Sequence, residues 1–96
     1  MLVLVTYDVN TSTTTGAKRL RKVAKECVNY GQRVQNSVFE CVLTESQFLI
    51  LKHKLENIID VSLDSVRFYF MGKNWERKIE QIGKETSFDV TSELII

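Results

Sequence analysis

The sequence predicts one α+β domain, an antiparallel sheet with two helices on one face, and three observations predict it. First, 96 residues at 44% hydrophobic and 26% charged match an ordinary globular composition, and one core typically serves about 100 to 150 residues. Second, the apolar pattern switches between the period of a strand and that of a helix, in the order strand, helix, strand, strand, helix, strand. Third, the chain has no proline and shows no repeat or low-complexity stretch. Its turns therefore fall to Gly, Asn, Asp, Ser and Thr, and nothing marks an internal linker.

Each element follows from its residues. Leu2 to Val9 reads as a buried strand, because both alternate sets, Leu2 with Leu4 and Val3 with Val5, are apolar. Asn10 to Gly16 is a Thr/Ser-rich loop that supplies a helix N-cap. Leu20, Val23, Ala24, Cys27 and Val28 then recur at helical spacing, so one stripe faces a core while Lys18, Arg21, Lys22 and Lys25 project from the opposite flank. Gly31 fits a helix C-cap. Gln32 to Leu43 is strand-like with a break at Gln35-Asn36-Ser37, which predicts a hairpin. Thr44 or Ser46 caps a second helix whose Phe48, Leu51, Leu55, Ile58 and Ile59 line one side, leaving Lys52, Lys54 and Glu56 outward. Asp60 to Asp64 is a turn. Val66, Phe68 and Phe70 alternate with Arg67, Tyr69 and Met71 as a half-buried strand ending at Gly72. Ile79 to Ile82 adds a short strand, Thr86 to Ser92 is polar, and Leu94-Ile95-Ile96 closes the chain as a frayed or partner-docked tail.

That order is the ferredoxin-like βαββαβ sandwich with an extra C-terminal strand. The whole of 1–96 is expected to be one domain, with 73–96 its C-terminal strand and tail. One sheet face is left bare, and a small domain with an uncovered apolar face is expected to pair with a second copy of itself, so a homodimer is predicted.

Charge is uneven. Residues 1–44 carry six basic side chains against three acidic, and residues 45–96 carry seven against nine, for a net charge of +1. Lys18, Arg19, Arg21, Lys22 and Lys25 fall within eight positions with no acidic residue among them. Such a run is either a solvated helix face or an electrostatic footprint for phosphates. The opening apolar run stops at Tyr7-Asp8, short of a signal h-region or of the ~20 residues of a membrane span. A cytoplasmic protein without a membrane partner is expected. Cys27 and Cys41 lack a CxxC partner, and with His53 the only histidine they make neither a zinc site nor a redox pair; both are expected as small buried hydrophobes.

The catalytic inventory is thin. His53, on the outer side of the second helix, has no Ser/Asp set to serve. Gly16-Ala17-Lys18 lacks the second glycine and the Lys-Ser/Thr pair of a phosphate loop, and the loop from Asn10 to Gly16 has no arginine for acylphosphatase chemistry. Asp8 remains, a carboxylate at the C-terminal end of a central strand, beside a hydroxyl-rich loop and a basic helix. Taken alone, an aspartate there is a turn or capping residue more often than a ligand. Mg²⁺ is commonly held by one or two carboxylates with waters and substrate phosphates, and a dimer axis near this strand end would bring in a second Asp8.

Three stretches carry a family resemblance: LVLVTYDV at 2–9, KRLRKVAKECVNYG at 18–31 and RVQNSVFEC at 33–41. With the second helix and VRFYFMG at 66–72, about 72 residues resemble the CRISPR-associated protein two family, and the GQRVQNSVFEC form resembles its subtype I-C branch. The resemblance implies a ferredoxin-like homodimer that joins the CRISPR integrase in spacer acquisition and holds a DNA duplex. It also implies a metal-dependent endonuclease, with Mg²⁺ or Mn²⁺, acting on double-stranded DNA or single-stranded RNA in a prokaryotic cytoplasm. Carried over by residue, Asp8 matches the family's metal-binding aspartate and Tyr7 precedes it. Ser37 is placed near the metal as a second catalytic residue. Phe39 and Tyr7 are assigned to the site wall or dimer, although core packing suits Phe39 equally. Lys18, Arg19, Arg21, Lys22, Lys25 and Arg33 are assigned to nucleic acid. Two other readings compete: a non-catalytic DNA-binding adaptor for the integrase, and a toxin-type messenger RNA endoribonuclease.

Overall fold

The computed structural model describes residues 1–9, 14–72 and 78–84. Its elements are β1 (Leu2–Asp8), α1 (Thr14–Val28), β2 (Gly31–Gln35), β3 (Val38–Val42), α2 (Glu45–Ile58), β4 (Ser65–Met71) and β5 (Lys78–Gly83). The strands form one sheet in the order β2-β3-β1-β4-β5, with every neighbouring pair antiparallel. This is the expected α+β arrangement, with β5 added at the edge beside β4. The tail at 94–96 and the polar stretch before it lie outside the described residues.

Register separates the two faces. Val3 stands opposite Cys41 and Phe70, Val5 opposite Phe39 and Phe68, and Tyr7 opposite Val66; directly paired residues share a face. That face meets Val23, Ala24 and Cys27 of α1 and Phe48, Leu51 and Leu55 of α2 in one buried core. Phe48 sits edge-on to Phe68 at 5.1 Å and to Phe70 at 4.8 Å between centroids. Burying each such side chain stabilises the fold by about 1.5–3 kcal/mol. Both helices therefore lie on one face, fixed by the alternation along β1 and the helical spacing of α1 and α2.

The start of α2 obeys a local rule. Thr44 Oγ1 accepts from the Gln47 N–H at 3.1 Å, and Gln47 Oε1 accepts from the Thr44 N–H at 2.9 Å, a capping box. Of the two expected caps, Thr44 takes the role. Lys52 and Lys54 leave the core as expected, but each finds a partner: Glu80 at 3.5 Å and Glu26 at 3.6 Å.

Five expectations need correction. β1 is buried on one side only: Val3, Val5 and Tyr7 are buried while Leu2 is exposed and Leu4 and Thr6 are half-buried, because both helices chose the same face. Thr14, Thr15 and Gly16 belong to α1 rather than to the preceding loop. Val28 is exposed, since the helix turns its stripe away at its last residue. Gly31 is no helix cap, because it opens β2; a Cβ there would strike the Glu40 carbonyl across the β2–β3 pair. Arg67, in the alternate set of β4, is buried rather than half-exposed, at 7%.

Gly31→Ala tests the close approach at β2. The variant is expected to lose about 1–3 kcal/mol through displacement of β2 from β3, read as a lowered chemical-denaturation midpoint with an unchanged slope. A midpoint equal to that of the parent would contradict it.

Candidate functional site

The last two residues of β1 point to opposite faces. Asp8 is exposed and shares the open face with Leu2, Leu4 and Thr6. Across β4 its register partner is Ser65, and one rung inward Thr6 pairs with Arg67. On the β3 side, the Tyr7 N–H donates to the Ser37 carbonyl at 2.8 Å, where the β2–β3 turn meets β1. The fold thus brings Asp8 and Ser37 to one end of the sheet although 29 positions separate them in the chain. Among the described residues no group of three or more His, Cys, Asp or Glu side chains could hold a metal ion. A single chain offers Asp8 as one carboxylate, within the one or two that Mg²⁺ takes in addition to waters and phosphates.

The open face is divided along its length. Leu2 pairs with Val42 and Met71, and Leu4 pairs with Tyr69; Leu2, Val42 and Met71 are all exposed. That half is mainly apolar across β3, β1 and β4, although Leu4 also pairs with Glu40 of β3, whose carboxylate accepts from Gln32 Nε2 at 3.3 Å. The other half, toward Asp8, carries Thr6, Ser65 and Arg67.

Tyr7 points the other way and is 2% exposed. Its hydroxyl donates to Asp64 Oδ2 at 2.9 Å. Asp64, fully buried just before β4, also accepts from Arg19 Nε at 2.7 Å and Nη2 at 3.3 Å, and from the Asp60 N–H at 3.0 Å. A buried carboxylate is tolerable only when satisfied in this way. Burial alone would raise the Asp64 pKa, but the Arg19 guanidinium, the Asp60 N–H and the Tyr7 hydroxyl together hold it below the usual carboxylate value. Burial and the Asp64 carboxylate push the Tyr7 phenol well above its ordinary value.

The basic helix splits accordingly. Lys18, Arg21, Lys22 and Lys25 are exposed, whereas Arg19 turns inward to Asp64. Its place four residues before Val23 and three after Gly16, both buried, puts it at the edge of the apolar stripe, a signal that the density of charge around it hides. Arg33 is exposed, donates from Nε to the Asn36 carbonyl at 2.7 Å and lies over the Phe39 ring at 5.6 Å. Phe39 is wholly buried on the helix face. Phe39 and Tyr7 are therefore core residues of the chain rather than walls of the Asp8 face. Because α1 covers the opposite face, the sheet itself separates the exposed basic side chains from Asp8.

Two residues escape the sequence reading. Asp64 was legible only as part of a turn, and Arg67 only as the polar member of an alternating strand; it lies on the Asp8 face. His53 is exposed, beside Asn57, and takes no part. Cys27 and Cys41 are buried free thiols. The Cys41 thiol donates to the Cys27 carbonyl at 3.5 Å, and that neighbour together with burial pushes the Cys27 thiol up, as suits small hydrophobes of the core. No helix among the described residues is long and apolar enough to cross a membrane.

Comparison with known proteins adds a family. The family described as CRISPR associated protein Cas2 matches residues 1–79. A protein of Halalkalibacterium halodurans named CRISPR-associated endonuclease Cas2 is 56% identical over 95 residues, covering 99% of each chain. One of Chlorobaculum tepidum, named CRISPR-associated endoribonuclease Cas2, is 54% identical over 96 residues and all of both chains. Among solved structures, Streptococcus pyogenes Cas2 at pH 6.5 superimposes with a TM-score of 0.74 at 66% identity, covering 79% of this chain and 92% of the other.

Proposed function

The chain belongs to the CRISPR-associated Cas2 family, and from that premise we propose that two copies pair through their open sheet faces to make a metal-dependent phosphodiester endonuclease that serves CRISPR adaptation. The observation that carries the reading is the exposed carboxylate of Asp8 at the end of the open sheet face that helices do not cover. The names endonuclease and endoribonuclease borne by its relatives support the nuclease half.

In this reading Leu2, Val42 and Met71 supply the apolar contact of the dimer, and the two Asp8 side chains face the same side of the pair. Together they would hold one Mg²⁺ or Mn²⁺, which when bound neutralises phosphate charge and lowers the pKa of a water. Asp8 binds and orients the ion. Ser37 lies at the same end of the sheet, its carbonyl bonded to the Tyr7 N–H, and in this reading its hydroxyl would donate to a phosphate oxygen only where the β2–β3 turn carries it to the Asp8 side. Arg67, one rung from Asp8 on the same face, adds positive charge on the substrate side.

The exposed Lys18, Arg21, Lys22 and Lys25 lie on the outer flank of each copy, so a duplex is held by charge and shape with no base contact. A double-stranded DNA lying across both copies, with the CRISPR integrase at the ends of the dimer, places the protein as the adaptor of spacer acquisition. Single-stranded RNA is the alternative substrate. The separation of basic flank from Asp8 face favours adaptor binding and cleavage as distinct uses of the dimer.

Removal of exposed charge tests the binding half. Lys22→Ala and Lys25→Ala are each expected to flatten the dependence of log affinity on log salt by about 0.9, without changing the rate of cleavage at saturating duplex. Salt slopes identical to the parent's would place the nucleic acid elsewhere. The cleavage half is tested by incubating labelled duplex DNA and single-stranded RNA with the protein across Mg²⁺ and Mn²⁺ concentrations. Cutting that persists in chelator, or no cutting at any metal concentration, would remove the nuclease and leave the adaptor.

A further inference from the structure

The rung that carries Asp8 is clamped from behind. Asp8 pairs with Ser65; the residues beside them, Tyr7 and Asp64, are bonded to each other on the opposite face of the sheet through the phenol and the carboxylate. Arg19 then ties the same carboxylate to α1 through two guanidinium nitrogens. The backbone of Asp64 is held as well: its carbonyl accepts from the Lys84 N–H at 2.7 Å, next to Gly83, whose φ of 90° places it in the left-handed region. A Cβ at Gly83 would meet the Asp64 carbonyl, so the end of β5 can approach there only as glycine.

We propose that Tyr7, Asp64 and Arg19 are positioning residues for Asp8: a buried hydrogen-bonded clamp that fixes the end of the β1–β4 ladder and so the direction of the metal-binding carboxylate. The inference rests on the nuclease reading above and deepens it. It assigns Arg19 a role unlike that of its exposed neighbours in the basic run. Arg19 acts through Asp64 and touches no phosphate, and Tyr7 acts through its hydroxyl rather than as a wall of the site. The physical reason is that a ligand carboxylate serves only within a few tenths of an ångström of its productive place. A strand end held by one ladder frays unless its neighbours are tied down.

Tyr7→Phe and Arg19→Gln separate this clamp from a phosphate contact. Tyr7→Phe removes one oxygen and keeps the ring in the core. Both are expected to lower kcat by about tenfold, the scale at which the supports of metal ligands act, with KM and the salt slope of duplex binding unchanged and with Mn²⁺ affinity reduced. Arg19→Lys, which keeps a donor to Asp64, is expected to recover part of kcat. If instead Arg19→Gln raises KM and flattens the salt slope by about 0.9, as for a lost phosphate contact, Arg19 is a nucleic-acid residue and the proposal fails. Should Arg19→Gln not fold, Tyr7→Phe decides alone: parental kcat and Mn²⁺ affinity overturn the clamp. A parent that neither cuts nor binds Mn²⁺ overturns the nuclease reading and this inference with it. A parent that cuts, with variants that cut equally fast, overturns the inference alone.

Discussion

Asp8→Asn is expected to abolish metal-dependent cleavage, a fall of more than about 100-fold, since even the outer partners of metal ligands cost about 10- to 100-fold when removed. The substitution is nearly isosteric and Asp8 is exposed, so the fold should survive with an unchanged melting temperature. Duplex affinity should stay within about twofold, because the exposed lysines and Arg21 proposed to bind phosphates sit on the helix side of the sheet. Measured together, cleavage rate, melting temperature and duplex affinity separate three outcomes. Loss of cleavage alone is expected. Loss of duplex binding to the same degree would show that Asp8 organises the binding surface, and unchanged cleavage would move the chemistry away from β1.

Asp64→Ala is expected to be the most destabilising single change, because it leaves the Arg19 guanidinium and the buried Tyr7 hydroxyl without their acceptor. Removing one partner of a buried charged pair costs about 3–5 kcal/mol, and Arg19 keeps some access to water, which argues for the lower end. At about 4–8 °C per kcal/mol in a domain of this size, the melting temperature should fall by more than about 10 °C. The pH dependence gives an independent check. The Asp64 pKa is depressed in the folded state. Its stabilisation is therefore complete above the unfolded carboxylate range near pH 4 and is lost as pH falls through the folded value. The parent should lose stability steeply below about pH 4, and Asp64→Ala should show a shallower acid limb. Equal acid limbs in the two proteins would mean that Asp64 is not charged in the folded chain.

Much of this fold is legible in the residues. The alternation of Val3, Val5 and Tyr7, the spacing of Val23, Ala24 and Cys27, and the Thr44-Gln47 pair each specify local structure by a rule that needs no partner. What the sequence hides is choice of face. Leu2 and Leu4 are as apolar as Val3 and Val5, and only the packing of both helices on one side leaves the first pair open. The location of Asp8 at the end of a central strand is readable from where the apolar run stops, and the nearness of Ser37 to that strand end follows once β3 pairs beside β1. Arg19 shares its composition with Lys18, Arg21 and Lys22; what distinguishes it is a carboxylate 45 positions away. Asp64 and Arg67 show the same limit. A buried charge is defined by the partner that the fold delivers, and neither residue carries a local pattern that announces it. Phe39 and Tyr7 belong to a recognisable motif, yet their parity in β3 and β1 sends both to the core.

The proposed site has one metal ion shared by two copies of Asp8 across a pair of open sheet faces. It is tested most directly by counting Mn²⁺ bound to the purified protein by electron paramagnetic resonance, alongside the molecular mass in solution. A shared site requires one ion for every two chains, a dimeric mass, and loss of the bound signal in Asp8→Asn with the dimer intact. One ion per chain, or binding that survives Asp8→Asn, would contradict it.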